Sequence, residues 1–192
     1  DSLGNDVVIR PGDVNWMTAG RGIAHSERTP APERASGHRL HGLQTWVALP
    51  REFEETAPEF RHYEASALPE TGRDGVHLRV IAGTVFGMES PVRVYAPTLY
   101  VEVKMRAGSR LSVPAEHAER AIYVLDGAAH VDGAALPPLQ MLVVDSDGDI
   151  DIVAEGDAHL FLCGGAPLDS ERVLWWNFVA SSKERIEAAK EA

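Results

Sequence analysis

His25 and Glu27 stand one residue apart in the run Gly20-Arg21-Gly22-Ile23-Ala24-His25-Ser26-Glu27. If residues 23–27 form a strand, both side chains project from the same face, because side chains alternate along an extended chain. An imidazole and a carboxylate on one face are half of a mixed metal site. Two histidines and one carboxylate, with open positions left over, suit non-haem Fe(II). Two donors alone do not hold a catalytic ion tightly, and a His-x-Glu pair also serves as an ordinary surface hydrogen bond. The pair by itself leaves both readings open.

Other residues of reactive type have plainer readings. His38 and His41 flank the mouth of such a site and could touch substrate, but loop or strand histidines usually make ordinary hydrogen bonds. Trp16 and Trp46 read as walls of a core or cleft. One of Trp175 and Trp176 is expected to face the core and the other a domain interface. Cys163 has no histidine or basic neighbour in sequence and reads as a buried, inert thiol. The acidic residues from Asp145 to Asp157 lack the spacing of a calcium loop and read as a solvated strand edge. No glycine-rich phosphate loop is present.

The elements that must position these groups read as strands. Leu99, Val101, Val103 and Met105 alternate with Tyr100, Glu102 and Lys104, the pattern of a half-buried strand. Ala121 to Leu125 and Leu160 to Cys163 are short apolar runs, and Ile150 and Ile152 alternate with aspartates. Asp126-Gly127, Asp132-Gly133 and Asp147-Gly148 read as hairpin turns. In the first third, Val7–Arg10, Val14–Met17 and Leu43–Leu49 read as strands. Arg51 to Gly75, with Pro58, Pro69 and three glutamates (Glu52, Glu54, Glu55), reads as a crossing segment outside the core. Ser181 and Glu184 fit a capping box that opens a C-terminal helix over 181–192.

The 192 residues carry a net charge of −11, with 44% hydrophobic and 24% charged residues. That is an ordinary globular composition, and the acidity disfavours direct contact with a nucleic-acid backbone. No apolar run approaches a membrane span. A single cysteine excludes an intrachain disulfide and fits a reducing, cytoplasmic setting. Asp1 to Asn5 reads as a turn leading into a strand, so the sequence is expected to be a fragment of a longer protein.

The block Gly12-Asp13-Val14-Asn15-Trp16-Met17-Thr18-Ala19-Gly20-Arg21-Gly22-Ile23-Ala24-His25-Ser26-Glu27 resembles the signature of the pirin family. His41-Gly42-Leu43-Gln44-Thr45-Trp46-Val47-Ala48-Leu49-Pro50 is similar to the next block of that family. Ile81-Ala82-Gly83, Phe86-Gly87 and Pro97-Thr98-Leu99-Tyr100 resemble the start of its second domain. The ending Trp175-Trp176-Asn177-Phe178-Val179 with Ser181 to Ile186 is similar to bacterial members.

The resemblance implies an all-β protein of two cupin domains, each a jelly-roll type of β-sandwich, with a short C-terminal α-helix. The boundaries expected are a partial N-terminal cupin domain over 1–57 lacking its early strands, a linker over 58–75, a C-terminal cupin domain over 76–180 and the helix over 181–192. It also implies a metal in the N-terminal domain, usually Fe(II), with another divalent transition metal as an alternative, held by three histidines and one glutamate. His25 and Glu27 match the last histidine and the glutamate. The other two histidines belong to a His-x-His segment that precedes this sequence, and no His-x-His occurs within it. In the second domain, Pro114 to Gly127 resembles a cupin motif with only His117 left, and His159 has no paired ligand. Both are read as structural, and that domain as a metal-free scaffold.

Two functions follow from the resemblance. The first is a dioxygenase similar to quercetin 2,3-dioxygenase, acting on a small aromatic polyphenol, in which Glu27 is both a metal ligand and the acceptor of the flavonol hydroxyl proton. The second is a metal-dependent regulatory protein that binds a transcription factor or a metabolic enzyme, without direct contact to nucleic acid or membrane.

Overall fold

The computed structural model describes residues 1–37, 39–145 and 147–191. His38 therefore lies outside the described residues. In chain order the elements begin with β1 (Val14–Thr18), the short helix α1 (Ala31–Ser36), β2 (Glu59–Tyr63), β3 (Glu70–Arg73), β4 (Val76–Val85) and β5 (Met88–Glu89). Next come β6 (Thr98–Met105), β7 (Arg110–Val113), β8 (Glu119–Asp126), β9 (Ala129–Val131), β10 (Ala134–Leu136) and β11 (Met141–Val144). The chain continues with β12 (Ile150–Ala154), β13 (Ala158–Gly165), β14 (Val173–Trp175), β15 (Phe178–Ala180) and helix α2 (Lys183–Glu191). The expected all-β class is what the chain adopts. No helix is long and apolar enough to cross a membrane.

The chain forms two compact units: Asp1–His62 with Leu168–Ala192, and Tyr63–Pro167. The second unit is a two-layer sandwich. One sheet has seven strands in the order β11-β8-β13-β6-β4-β3, with β5 also on β4, and the other has four in the order β10-β9-β12-β7. The period-2 pattern explains the core. Val76, Leu78 and Val80 from β4, Leu99, Val101 and Val103 from β6, Ile122 and Val124 from β8, and Leu160 and Leu162 from β13 point inward. They meet Val113, Val131, Ile150 and Ile152 from the smaller sheet. Each such side chain contributes about 1.5–3 kcal/mol by leaving water.

The turns follow from the same residues. Asp132-Gly133 joins β9 to β10 as a two-residue hairpin with φ of 48° and 81°, the left-handed pair that a type I′ turn requires. Asp74-Gly75 joins β3 to β4 in the same way with φ of 52° and 83°. This turn lies inside the segment read as a linker, which in fact carries β2 and β3 and buries Leu68. Asp126-Gly127 is not a hairpin. It carries the chain from β8 in the large sheet to β9 in the small one, and Asp126 Oδ1 accepts the Gly127 N–H at 2.9 Å.

The first unit holds the β1–β2 pair, the β14–β15 hairpin and α2. Residues 168–180, read from the sequence as part of the second domain, cluster here because of Arg172. Its guanidinium donates to the Leu49 carbonyl at 2.7 Å and pairs with Asp169 at 2.7 Å, and Asp169 in turn accepts the Arg51 N–H at 2.8 Å.

Several local expectations are corrected. Val7–Arg10 and Leu43–Leu49 form no strand, for an apolar or alternating run becomes a strand only when its backbone groups find a ladder. Helix α2 starts at Lys183, so Ser182 and not Ser181 is its cap: Ser182 Oγ accepts the Arg185 N–H at 3.4 Å. The Glu184 carboxyl is held below its ordinary range by the backbone N–H of Glu184 itself and by Ser182. Trp175 and Trp176 are both exposed, since they sit at the tip of the β14–β15 hairpin.

Candidate functional site

The loop that carries His25 is anchored from both sides. Gly20 has φ of 52°, and a Cβ there would lie 2.1 Å from the Thr56 carbonyl oxygen, so only glycine fits. Arg21 N–H donates to that same carbonyl at 3.1 Å, and Gly22 N–H donates to Ala19 at 2.9 Å. Beyond this turn, Ser2 and Ala24 exchange two bonds: Ser2 N–H to the Ala24 carbonyl at 2.7 Å, and Ala24 N–H to Ser2 Oγ at 3.2 Å. Of these two glycines, Gly20 serves the close backbone approach, whereas Gly22 (φ of 133°) has open space about it.

Residues 23–27 are not a strand, which corrects the sequence reading. The Ser2–Ala24 pair is too short to make a ladder. His25 and Glu27 both stand exposed at this place. His41 is also exposed, on a stretch without regular structure, and Trp46 is 52% exposed while Trp16 is half-buried on β1. Among the described residues, no three His, Cys, Asp or Glu side chains converge as a metal site. His25 and Glu27 are donors of the right chemistry for iron, but the described residues do not make a complete iron centre.

A polar cluster beside this region was not read from the sequence. His62 on β2 reaches β1 and its approach, with Nδ1 at 2.8 Å from Asn15 Oδ1 and Nε2 at 3.5 Å from Asp13 Oδ2. Asp13 also accepts the Arg10 N–H at 2.9 Å. In sequence Glu54 is one of three glutamates in a crossing segment, yet it is buried and faces Arg172, Arg185 and Ser181.

In the second unit, the two histidines have structural partners. His117 Nε2 donates to the Thr84 carbonyl at 2.9 Å. His159 Nε2 bonds Glu102 Oε1 at 2.9 Å on the outer side of β13, with its ring 5.2 Å from that of Phe161. Glu102 also meets Lys104 at 3.1 Å and Arg79 at 3.6 Å. The His159 hydrogen bond and then Lys104, against the opposing effect of burial, hold the Glu102 carboxyl at about 2. Because the folded value lies below the unfolded one, the stabilisation is complete above pH about 4.5 and fades as pH falls toward 2. A shift of this size is worth about 3 kcal/mol at neutral pH. Glu102→Gln is therefore expected to lower stability at pH 7 and to flatten its decline between pH about 4.5 and 2. Denaturant unfolding of both proteins across that window is the measurement, and parallel curves would contradict it.

Burial pushes the Cys163 thiol up, which keeps it protonated and unreactive. Three of the chain's aspartates brace turns. Asp132 Oδ1 accepts the Asp151 N–H, Asp149 Oδ1 that of Ala115, and Asp157 Oδ1 that of Ala107.

Comparison with known proteins places these features in a family. The model described as Pirin matches residues 1–47, and the one described as Pirin C-terminal cupin domain matches residues 100–192. A pirin-like protein of Caulobacter vibrioides is 46% identical over 99% of this chain and 66% of its own length. Mouse pirin is 34% identical over 98% of this chain and 66% of its own length. The crystal structure of quercetin 2,3-dioxygenase from Acinetobacter baumannii superposes with a TM-score of 0.89 at 35% identity, covering 99% of this chain and 62% of that one. The chain thus spans just under two thirds of the length of these relatives. With both family models laid along it in order and relatives aligned from end to end, the chain belongs to the pirin family.

Proposed function

We propose that the protein containing this chain is an iron-dependent dioxygenase that acts on a flavonol such as quercetin. The observation that carries the reading is the likeness, over 99% of the chain, to the Acinetobacter baumannii structure named quercetin 2,3-dioxygenase. The placement of His25 and Glu27 supports it. Both side chains stand exposed, directly after a turn locked onto Thr56, where they are free to act as donors. In this reading they are two of the metal's ligands, and the further donors come from outside the described residues. Residues 1–57, joined by the segment from Leu168 onward, are then part of an N-terminal cupin domain, and 76–167 belong to the C-terminal one.

Iron would supply the means of bringing O₂ and an aromatic substrate together. This chain's share is to present one imidazole and one carboxylate, and Glu27 can accept a proton from an acidic hydroxyl within hydrogen-bond reach. The second unit contributes structure: its interior is filled by aliphatic side chains, and His117 and His159 are engaged outside that core. The test is oxygen uptake by the whole, iron-loaded protein on addition of quercetin. Stoichiometric consumption of O₂ and loss of the flavonol absorbance are expected. Iron bound without any oxygen uptake would favour a regulatory protein over an enzyme.

A further inference from the structure

Large apolar side chains that stand out from the second unit are confined to one place. Leu139 is 70% exposed, Met141 56% and Val143 73%, and no other large hydrophobic residue described between Tyr63 and Pro167 is so exposed. Met141 and Val143 lie on β11, the strand at one side of the seven-stranded sheet. Their neighbours Leu142 and Val144 turn the other way and pack against the core.

The register shows which backbone groups are open. Val124 N–H donates to the Gln140 carbonyl at 3.0 Å, and Leu139 N–H donates to the Val124 carbonyl at 2.7 Å. Two residues on, Leu142 lies opposite Ile122, and then Val144 opposite Arg120. Antiparallel pairing alternates, so Leu142 and Val144 turn their N–H and C=O groups toward β8, while Met141 and Val143 turn theirs to the open side. Leu139 enters the strand with φ of 63°, a conformation that costs a non-glycine residue about 1–2 kcal/mol. Edges of this kind are usually guarded by lysine, proline or an inward charge. Met141–Val144 contains none of these.

The strand runs directly into the exposed carboxylates of Asp145 and Asp147. A second copy of a chain with net charge −11 is repelled from such an edge, whereas a cationic strand is attracted to it. We propose that β11 is a docking edge for an extended, positively charged polypeptide segment, which adds as a further strand of the large sheet. Main-chain bonds to Met141 and Val143 supply the affinity, apolar side chains of the segment cover those of Met141 and Val143, and its lysines or arginines meet Asp145 and Asp147.

The probe is a synthetic peptide of alternating valine and threonine with lysines at both ends, titrated into the whole chain and followed by amide NMR shifts and calorimetry. Shifts centred on β11 and the adjoining part of β8, with affinity that falls as salt rises, are expected. Val143→Pro removes an outward N–H while leaving the pairing to β8, and is expected to weaken binding about tenfold. Val143→Lys, which keeps the backbone intact, is expected to weaken it through repulsion of the lysines. Asp145→Asn with Asp147→Asn is expected to remove most of the salt dependence. Equal binding of a glutamate-flanked peptide, shifts centred elsewhere, unchanged affinity in both Val143 variants, or self-association of the chain through β11 would each overturn the proposal.

Discussion

Under the proposed function, alanine in place of His25 or Glu27 is expected to lower the iron bound by the whole protein from about one equivalent to less than about a tenth. The size follows from coordination chemistry. Removing even a group that supports a ligand costs 10–100-fold in metal affinity, and removing a ligand itself costs at least as much. The fold is expected to be indifferent, because both side chains are exposed and substitutions at such positions usually change stability by no more than about 0.5 kcal/mol. That separation gives the experiment its force. Elemental analysis and thermal unfolding of the same samples should show metal lost and apo-protein stability kept. His41→Ala serves as the control, expected to hold its iron. Unchanged metal content in both His25 and Glu27 variants would end the assignment, and a collapse of stability in both would recast the pair as structural.

Where sequence patterns were strongest, the structure followed them. The second unit was legible because its strands are made by a local rule: Leu99 to Met105 alternates, and each alternation has a partner strand on both sides. The Asp132-Gly133 turn was legible because its conformational demand falls on the two residues themselves. The first unit was harder. Leu43, Thr45 and Val47 alternate as well, yet the described residues 41–50 enter no strand ladder, and alternation without a ladder makes no strand. The candidate site was legible only in part. The His-x-Glu pair and its glycines stand next to each other in sequence, but the reason for Gly20 is Thr56, thirty-six residues away, and no local pattern announces it. Ser181 was misread for a related reason. Only Ser181 has a glutamate three residues on, yet Ser182 takes the cap, because Ser181 bonds the distant Glu54 carboxylate instead.

Glu54 is the largest feature that the sequence concealed, and its removal is expected to be the most damaging single change in the first unit. The residue is 8% exposed. Its Oε2 accepts the Ser181 hydroxyl at 2.8 Å, and its Oε1 lies 3.4 Å from Arg172 Nε. Arg172 is the more deeply buried partner, with 4% of its side chain exposed, whereas Arg185, at 3.9 Å, is half-buried and contributes little through solvent-screened contact. At 3.4 Å the Glu54–Arg172 contact is an ion pair without a hydrogen bond, so the pair as a whole adds little net stability; desolvation offsets most of the attraction. Breaking it is another matter. Glu54→Ala leaves the Arg172 cation buried with Asp169 as its remaining carboxylate, and a cost of about 3 kcal/mol is expected. Glu54→Gln keeps the shape and an acceptor for Ser181, and should cost less. Replacing both charges, as Glu54→Leu with Arg172→Met, should recover much of the loss, because no charge is then stranded. Since Arg172 and Ser181 flank the β14–β15 hairpin, the damage should appear first as faster hydrogen exchange and proteolysis over 168–191. If Glu54→Ala changed stability by less than about 0.5 kcal/mol and left that exchange untouched, the carboxylate would be an incidental neighbour of Arg172, with the Leu49 carbonyl and Asp169 alone holding the C-terminal segment in place.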